Sequence, residues 1–143
     1  MSMISDSRTE IAIVGGGLAG GLIALALRKR HPEMQVTLIE AGEKLGGNHR
    51  WSWFDSDLDD AGRELLAPFR KSEWRGYSVN FPAYQRKLSS QYYSLTSDDF
   101  DAALRRELGQ NTIRTNRTVS AIDGDGVTLA NGSRISARTI IDC

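Results

Sequence analysis

The pattern of apolar and polar positions changes its period within the first forty residues. Residues 10–14 are continuously apolar after Glu10, with β-branched side chains, which predicts a buried parallel strand. Residues 18–30 are rich in alanine and leucine and end in three basic residues, which predicts a helix that stops at His31-Pro32. Residues 35–40 predict a second strand. The order strand, helix, strand predicts a βαβ unit.

Two further helices are expected in the middle of the chain. Residues 61–69 predict a short amphipathic helix, and a longer one begins at Ser97, the predicted N-cap. Phe100, Leu104 and Leu108 follow at a spacing of four and therefore share one face. Gly109 is the predicted C-cap. Residues 77–81 and 91–96 are predicted as strands.

In the last third of the chain, the pattern of apolar and polar residues is typical of short strands. Residues 112–115 and 118–123 predict two of them, and residues 127–135 predict a hairpin around the turn pair Asn131-Gly132. Residues 137–143 are apolar enough for a central strand, so we expect Cys143 to be a small buried residue rather than a nucleophile. A buried strand at the end predicts that residues 1–143 are the N-terminal fragment of a longer protein.

Composition narrows the function classes. The chain has 143 residues, one domain's worth, of which 40% are hydrophobic and 25% charged. Its formal net charge is zero, so no global basic field attracts nucleic acid or anionic lipid. The single cysteine cannot form an internal disulfide, which fits a reducing compartment. We expect no transmembrane helix, and we expect residues 1–9 to form a flexible tail.

The strongest chemical signal is a glycine-rich turn between the first strand and the first helix. Gly15 permits a sharp turn, Gly17 lets the backbone approach a pyrophosphate, and Gly20 lets the helix pack close to the strand. Glu40, at the end of the second strand, can accept hydrogen bonds from a ribose and would repel a 2′-phosphate. The pattern favours FAD or NAD over NADP. The alternative is an ordinary βαβ unit without a nucleotide.

Several other residues leave two interpretations open. His49 is either an acid or a structural loop histidine, with the structural role favoured. Trp51, Trp53 and Phe54 either line an apolar channel or shield a cation by π contact, or they pack in the core. Arg86 either contacts a cofactor or lies on the surface. Four aspartates, which match no ligand spacing, favour a solvated loop over a metal site, and we predict no metal. They are Asp55, Asp57, Asp59 and Asp60.

The glycine turn and Glu40, together with Gly46-Gly47, resemble the FAD-binding signature of the flavoprotein group that includes glutathione-reductase-like and hydroxylase-like enzymes. The resemblance implies an α/β, Rossmann-like fold with a central parallel sheet and an added β-hairpin or meander. It implies that Gly46 and Gly47 lie against the flavin-proximal part of FAD. It also implies that the main chain of Val119 binds adenine.

Three stretches are similar to the bacterial lycopene β-cyclases of carotenoid synthesis. They are Gly-Gly-Asn-His-Arg-Trp-Ser-Trp-Phe at 46–54, Phe-Pro-x-x-x-Arg-Lys-Leu-x-Ser-x-Tyr at 81–92 and Ile-Ile-Asp-Cys at 140–143. Arg50 departs from the threonine of many relatives. The resemblance implies a proton-initiated, redox-neutral ring closure of lycopene. It further implies reduced FAD with NAD(P)H as electron donor.

The same resemblance locates the missing parts of the enzyme. The catalytic acid is expected downstream of residue 143, so this fragment alone is expected to be inactive. Because lycopene lives in membranes, the complete enzyme is expected at the cytoplasmic face as a peripheral protein. Two alternatives stay open: an FAD-dependent hydroxylase or oxidoreductase of the same fold, and a nucleotide-binding module without chemistry.

Overall fold

A computed structural model describes residues 6–143 of the chain. It contains eleven strands, three α-helices and one 3-10 turn. In chain order they are β1 (Ser7–Val14), α1 (Leu18–Arg30), β2 (Val36–Ile39), β3 (Arg50–Phe54), the 3-10 turn (Asp55–Asp57), α2 (Asp60–Leu66), β4 (Ser72–Trp74), β5 (Tyr77–Phe81), β6 (Tyr84–Leu88), β7 (Tyr92–Thr96), α3 (Ser97–Leu108), β8 (Ile113–Arg114), β9 (Val119–Asp123), β10 (Gly126–Leu129) and β11 (Arg134–Asp142).

The largest sheet has six strands in the order β8-β2-β1-β11-β10-β9. The first four strands are mutually parallel, and β10 and β9 add an antiparallel meander. This confirms the predicted α/β fold with its central parallel sheet and added hairpin. The last strand is central, as predicted, because β11 pairs with β1 on one side and with β10 on the other.

The first strand is longer than the sequence pattern predicts. It begins at Ser7, which pairs with Ile135 of β11, so residues 7–9 are not part of a flexible tail. The buried Thr9 explains the difference, because its hydroxyl donates to the carbonyl of Gln35 at 2.8 Å and fixes a polar residue inside the sheet. In the remainder of the predicted tail, the Asp6 carboxylate accepts a hydrogen bond from the Arg134 amide at 3.2 Å, and residues 1–5 lie outside the described residues.

Two apolar clusters lie on opposite faces of the six-stranded sheet. Ile13 and Leu38 face the cluster that the helices cover, whereas Ala12 and Ile39 face the cluster of the meander. The helices α1 and α3 approach closely because Gly21 has no side chain to meet Phe100. The predicted apolar face of α3 is buried along its length.

Other elements are of the predicted type but begin or end at different residues. The helix α2 ends at Leu66, before Pro68 rather than at Phe69. The N-cap of α3 is Thr96 rather than Ser97, because the Thr96 hydroxyl accepts a hydrogen bond from the Asp99 amide at 3.1 Å. Gly109 ends α3 with φ +77°, as predicted.

A second, antiparallel sheet has the order β3-β7-β4, in which β3 precedes α2 in the chain and β4 and β7 lie between α2 and α3. The strands β5 and β6 form a separate hairpin. The sequence pattern predicts β5 and β7 but not β3, β4 or β6. Within residues 6–143, no helix is both long enough and apolar enough to cross a bilayer.

Candidate cofactor-binding site

The turn after β1 stands at the carboxyl edge of the parallel strands. Gly15 has φ +102°, and its amide donates to the carbonyl of Ile39 at 2.8 Å. A Cβ at Gly15 would lie 2.6 Å from the carbonyl oxygen of Cys143, which follows β11. The turn therefore requires glycine for both its backbone angle and the neighbouring strand.

Gly17 faces open space. It is the N-cap of α1 with φ −73°, and among residues 6–143, apart from its two chain neighbours, no atom lies within 4 Å of the position that its Cβ would occupy. The first turn of α1 has neither an acidic residue nor a side-chain cap. The amides of a first helical turn have no carbonyl partner within the helix, so this end can bind an anion that comes close to the backbone.

Gly20 has a packing role. A Cβ there would overlap the carbonyl oxygen of Gly15 and would lie 3.3 Å from Cγ2 of Ile13. The close helix–strand packing predicted for Gly20 is therefore present. It holds the start of α1, and with it the open position at Gly17, directly over the end of β1.

The carboxylate of Glu40 points toward the glycine turn. Its two oxygens accept hydrogen bonds from the amides of Gly16, at 2.8 Å, and Gly42, at 2.7 Å. Its own amide donates to the Arg114 carbonyl at 2.9 Å, and its carbonyl accepts from the Arg117 amide at 3.0 Å. Each carboxylate oxygen keeps acceptor capacity for a hydroxyl group beside the turn.

The second glycine pair is tied to the first turn. The Gly46 amide donates to the Gly16 carbonyl at 2.8 Å, and Gly46 and Gly47 have φ +81° and +59°. A Cβ at Gly46 would lie 2.9 Å from Phe100, whereas a Cβ at Gly47 would meet only His49, at 3.6 Å. Gly46 is thus required by packing, and Gly47 leaves space above the backbone.

Val119 begins β9 and is half-buried against the meander cluster. The segment that leads to it passes Glu40, since the Asn116 amide donates to the Gly42 carbonyl at 2.8 Å. Asn116 has φ +54°, a conformation that asparagine tolerates better than most residues. The structure thus brings this segment to the same sheet edge as the glycine turn, while adenine binding by Val119 stays a prediction.

The aromatic cluster of 51–54 divides between two faces of its strand. Trp51 and Trp53 pack against the helix-covered core, whereas Phe54 contacts Tyr77 and Tyr92 at ring-centre distances of 5.5 and 5.2 Å. His49 is exposed and stacks on Trp51 at 6.0 Å, and its backbone carbonyl accepts from the Ser97 amide. Core packing is therefore the role that the structure gives the two tryptophans.

The acidic run has local structural roles. Asp55 forms an ion pair with Arg63 at 3.1 Å, and the Asp59 carboxylate accepts from the Gly62 amide at 2.8 Å as the N-cap of α2. Across residues 6–143, no group of three or more histidine, cysteine or acidic side chains is placed to hold a metal ion. Arg86 is exposed on β6, opposite Val79.

The prediction that Cys143 is buried is wrong. Its backbone is held to the sheet, because its amide donates to the Val14 carbonyl at 2.9 Å. The thiol is nevertheless exposed rather than buried, since the residue lies beyond the last paired position of β11, at the open edge of the sheet.

The sequence reasoning missed the residues that hold Glu40 in place. Gly16 supplies an amide to the carboxylate, and the backbone of Arg114 and Arg117 pairs with the backbone of Glu40. Gly16 stands within the glycine run and could have been suspected for that reason. No sequence pattern points to Arg114 or Arg117, because they contact Glu40 through their backbone and not through their side chains.

Solved structures of low sequence identity share this fold. The chain matches a probable FAD-dependent monooxygenase, pqsL, from Pseudomonas aeruginosa with a TM-score of 0.69 and 14% identity, over 94% of this chain and 42% of that one. It matches 2-methyl-3-hydroxypyridine-5-carboxylic acid oxygenase with a TM-score of 0.68 and 20% identity, over 94% and 39%. The chain is thus an α/β domain with the Rossmann-like fold of FAD-dependent monooxygenases.

Sequence comparison is more specific. The family described as "Lycopene cyclase protein" matches residues 10–143, and the chain belongs to this family. It is 47% identical to the lycopene beta-cyclase of Pseudescherichia vulneris over 93% of this chain and 34% of that protein. It is 38% identical to the lycopene beta-cyclase of Pantoea ananas, over 93% and 35%. The chain therefore spans about a third of the length of these relatives.

Proposed function

We propose that this chain is the FAD-binding part of a lycopene β-cyclase, an isomerase that closes β-rings at the ends of acyclic lycopene. The observation that carries the proposal is the open space at Gly17, which faces the first turn of α1 and lies beside a carboxylate held toward it. Membership of the lycopene cyclase family supplies the reaction.

The residues present fit the dinucleotide part of FAD. The pyrophosphate would lie over Gly17, where a Cβ would otherwise project, and would accept hydrogen bonds from amides of the first turn of α1. Glu40 would bind the adenosine ribose. Gly15 and Gly20 shape the bend, while Gly46-Gly47 and the main chain of Val119 would contact the flavin-proximal part and the adenine.

The residues of this chain bind and orient the cofactor rather than deliver the proton. When bound in its reduced form, with NAD(P)H as the electron donor, FAD supplies negative charge near a carbocation in a dry pocket. Ring closure itself moves no net electrons: a proton adds at the terminal double bond, the neighbouring double bond closes the ring, and a proton leaves. We assign no catalytic acid within residues 1–143.

The substrate suggests where the complete enzyme works. Lycopene is a long hydrocarbon that dissolves in bilayers and not in water. We therefore place the complete enzyme at the cytoplasmic face of the membrane, in peripheral contact with it.

Carotenoid analysis tests the proposal. Lycopene-accumulating cells that express the complete protein are expected to form products with β-rings and no change in mass. Products that carry added oxygen or hydride would instead support a hydroxylase or reductase. A purified complete protein without a flavin absorbance spectrum, in cells that keep their lycopene, would support a nucleotide-binding module without chemistry.

A further inference from the structure

One segment of the chain differs from the rest in charge. The protein has 18 basic and 18 acidic residues, yet residues 74–97 contain no aspartate or glutamate. The same segment carries Arg75, Arg86 and Lys87, all of them exposed. It includes the hairpin of β5 and β6, so that part of the surface is locally cationic although the whole chain is neutral.

The hairpin is also amphipathic. Its register places Tyr77 opposite Leu88, and Phe81 opposite Tyr84, so these four side chains share one face, together with the pair Val79 and Arg86 between them. The other face carries only polar side chains, in the pairs Ser78 with Lys87 and Asn80 with Gln85. The apolar face is half-buried at its base and becomes exposed toward its tip.

Aromatic exposure is concentrated at this hairpin and the strand before it. Phe81 is 63% exposed, Tyr84 53% and Trp74 47%. Among residues 6–143, the other large apolar side chain in this class is Ile122, at 43%, on β9. Single exposed apolar residues are ordinary, but a group of aromatic rings on one projecting element is typical of an interaction surface.

The nearest acid in sequence points the other way. Glu73 lies opposite Tyr93 in the sheet, whereas the next residue, Trp74, lies opposite Tyr92. Successive side chains of a strand face opposite sides of a sheet, so the Glu73 carboxylate lies on the face away from Trp74. The aromatic surface therefore meets positive charge from Arg86, which shares its face, with Arg75 next to Trp74 in the chain, and it meets no carboxylate from its own strands.

We infer that the tip of the β5–β6 hairpin, with Trp74, docks on an anionic bilayer surface. Tyrosine and tryptophan rings prefer the level of the lipid headgroups, and lysine and arginine are attracted to anionic lipids. A two-stranded hairpin is marginal alone and gains stability when its apolar face is covered. The choice of lipid over a protein partner rests on the proposed function, and the positive charge of Arg86 beside the exposed rings, with no carboxylate in residues 74–97, is complementary to an anionic headgroup layer.

Vesicle sedimentation of the complete protein tests this inference. Wild type is compared with the double variant Phe81→Ser/Tyr84→Ser, with Arg75→Gln/Arg86→Gln, and with Ile122→Ser as the matched exposed apolar control. We expect wild type and the control to bind vesicles of phosphatidylcholine with phosphatidylglycerol, and to bind pure phosphatidylcholine much less. Each double variant should lower the partition coefficient about tenfold.

The results that would overturn the docking inference differ from those that would overturn the proposed function. Unchanged vesicle binding in Phe81→Ser/Tyr84→Ser overturns the inference. If the same variant also loses thermal stability, the rest of the protein covers the hairpin instead. Equal binding to neutral and anionic vesicles also overturns it. The flavin spectrum and the formation of β-rings from detergent-dispersed lycopene are measured on the same samples. If vesicle binding depends on the hairpin but no β-rings form, the proposed function fails while the docking inference holds.

Discussion

The glycines of the site are of two kinds. Gly15, Gly20 and Gly46 are required by the protein itself, since a side chain at each would meet Cys143, Gly15 or Phe100. Gly17 and Gly47 have room for a side chain above the backbone, so packing does not explain them. The positive φ of Gly47 is itself a reason for glycine there, whereas Gly17 has an ordinary φ of −73°, so a ligand that approaches the backbone is the explanation that fits Gly17. The two open positions are where we expect FAD to lie.

Glu40 offers a prediction at the same scale. Glu40→Ala removes the acceptor for the Gly16 and Gly42 amides and for the proposed ribose, so FAD affinity should fall about ten- to a hundredfold. Fluorescence titration of the deflavinated complete protein with FAD measures the change. Glu43→Ala, an exposed acid in the same segment, is the control. Wild-type affinity in Glu40→Ala would contradict the assignment.

At the scale of elements, α3 positions the loop that carries Gly46. Its buried Phe100 contacts Trp51 and Phe69 at ring-centre distances of 5.1 and 5.4 Å. The Asp101 carboxylate accepts from the Leu45 amide at 2.8 Å and so fixes the loop that carries Gly46. The position of the second glycine pair therefore depends on how firmly α3 is formed and docked.

The cap of α3 can be tested directly. Thr96→Ala removes the hydroxyl that accepts from the Asp99 amide and should lower the free energy of unfolding by about 1 kcal/mol. Ser97→Ala should have a smaller effect, because Thr96 and not Ser97 is the N-cap. Urea unfolding of both variants decides between them, and a larger loss in Ser97→Ala would contradict the structure.

The meander carries a pH-dependent ion pair. Arg134 donates to Asp123 at 2.6 Å, and this hydrogen bond, with the Asp125 amide, lowers the pKa of the Asp123 carboxyl from 3.8 to about 2. Because the pKa is lower in the folded chain, the pair stabilises the fold above about pH 4, and this contribution is lost as the pH falls toward 2.

Arg134→Gln should therefore raise the pKa of Asp123 toward its usual value, and the difference in melting temperature from wild type should shrink below pH 4. An NMR titration of the Asp123 carboxyl measures the pKa in both proteins. An equal pKa in wild type and variant would show that Arg134 does not hold this carboxylate.

The sequence predicts best those elements whose stability is local or periodic. The Gly-rich turn, α1 and the face of α3 have strong signals, and the structure has them nearly where they were expected. The strand β6 contains Gln85, Arg86 and Lys87, and exists because it pairs with β5. Likewise, the backbone partners of Glu40 come from the distant residues Arg114 and Arg117, which no local pattern connects to it.

At the scale of the whole molecule, the sheet order brings distant segments to one edge. Four parallel strands end there, which places the turn after β1, Glu40 after β2, and Cys143 after β11 beside one another. Ligands of open α/β sheets bind at this carboxyl edge. The described residues thus bring together at one edge the residues that we propose to bind FAD, and the hairpin of β5 and β6 has an exposed aromatic tip.

The most direct test is the ratio of bound flavin to protein in the purified complete protein, measured by absorbance. Gly17→Val is compared with Gly124→Val, because both positions have open space for a side chain and neither has a positive φ. We expect Gly124→Val to keep its flavin, and we expect Gly17→Val to fold with the same melting temperature as deflavinated wild type but to retain no flavin. Undiminished yellow colour in Gly17→Val would contradict the placement of the pyrophosphate and the cofactor site built on it.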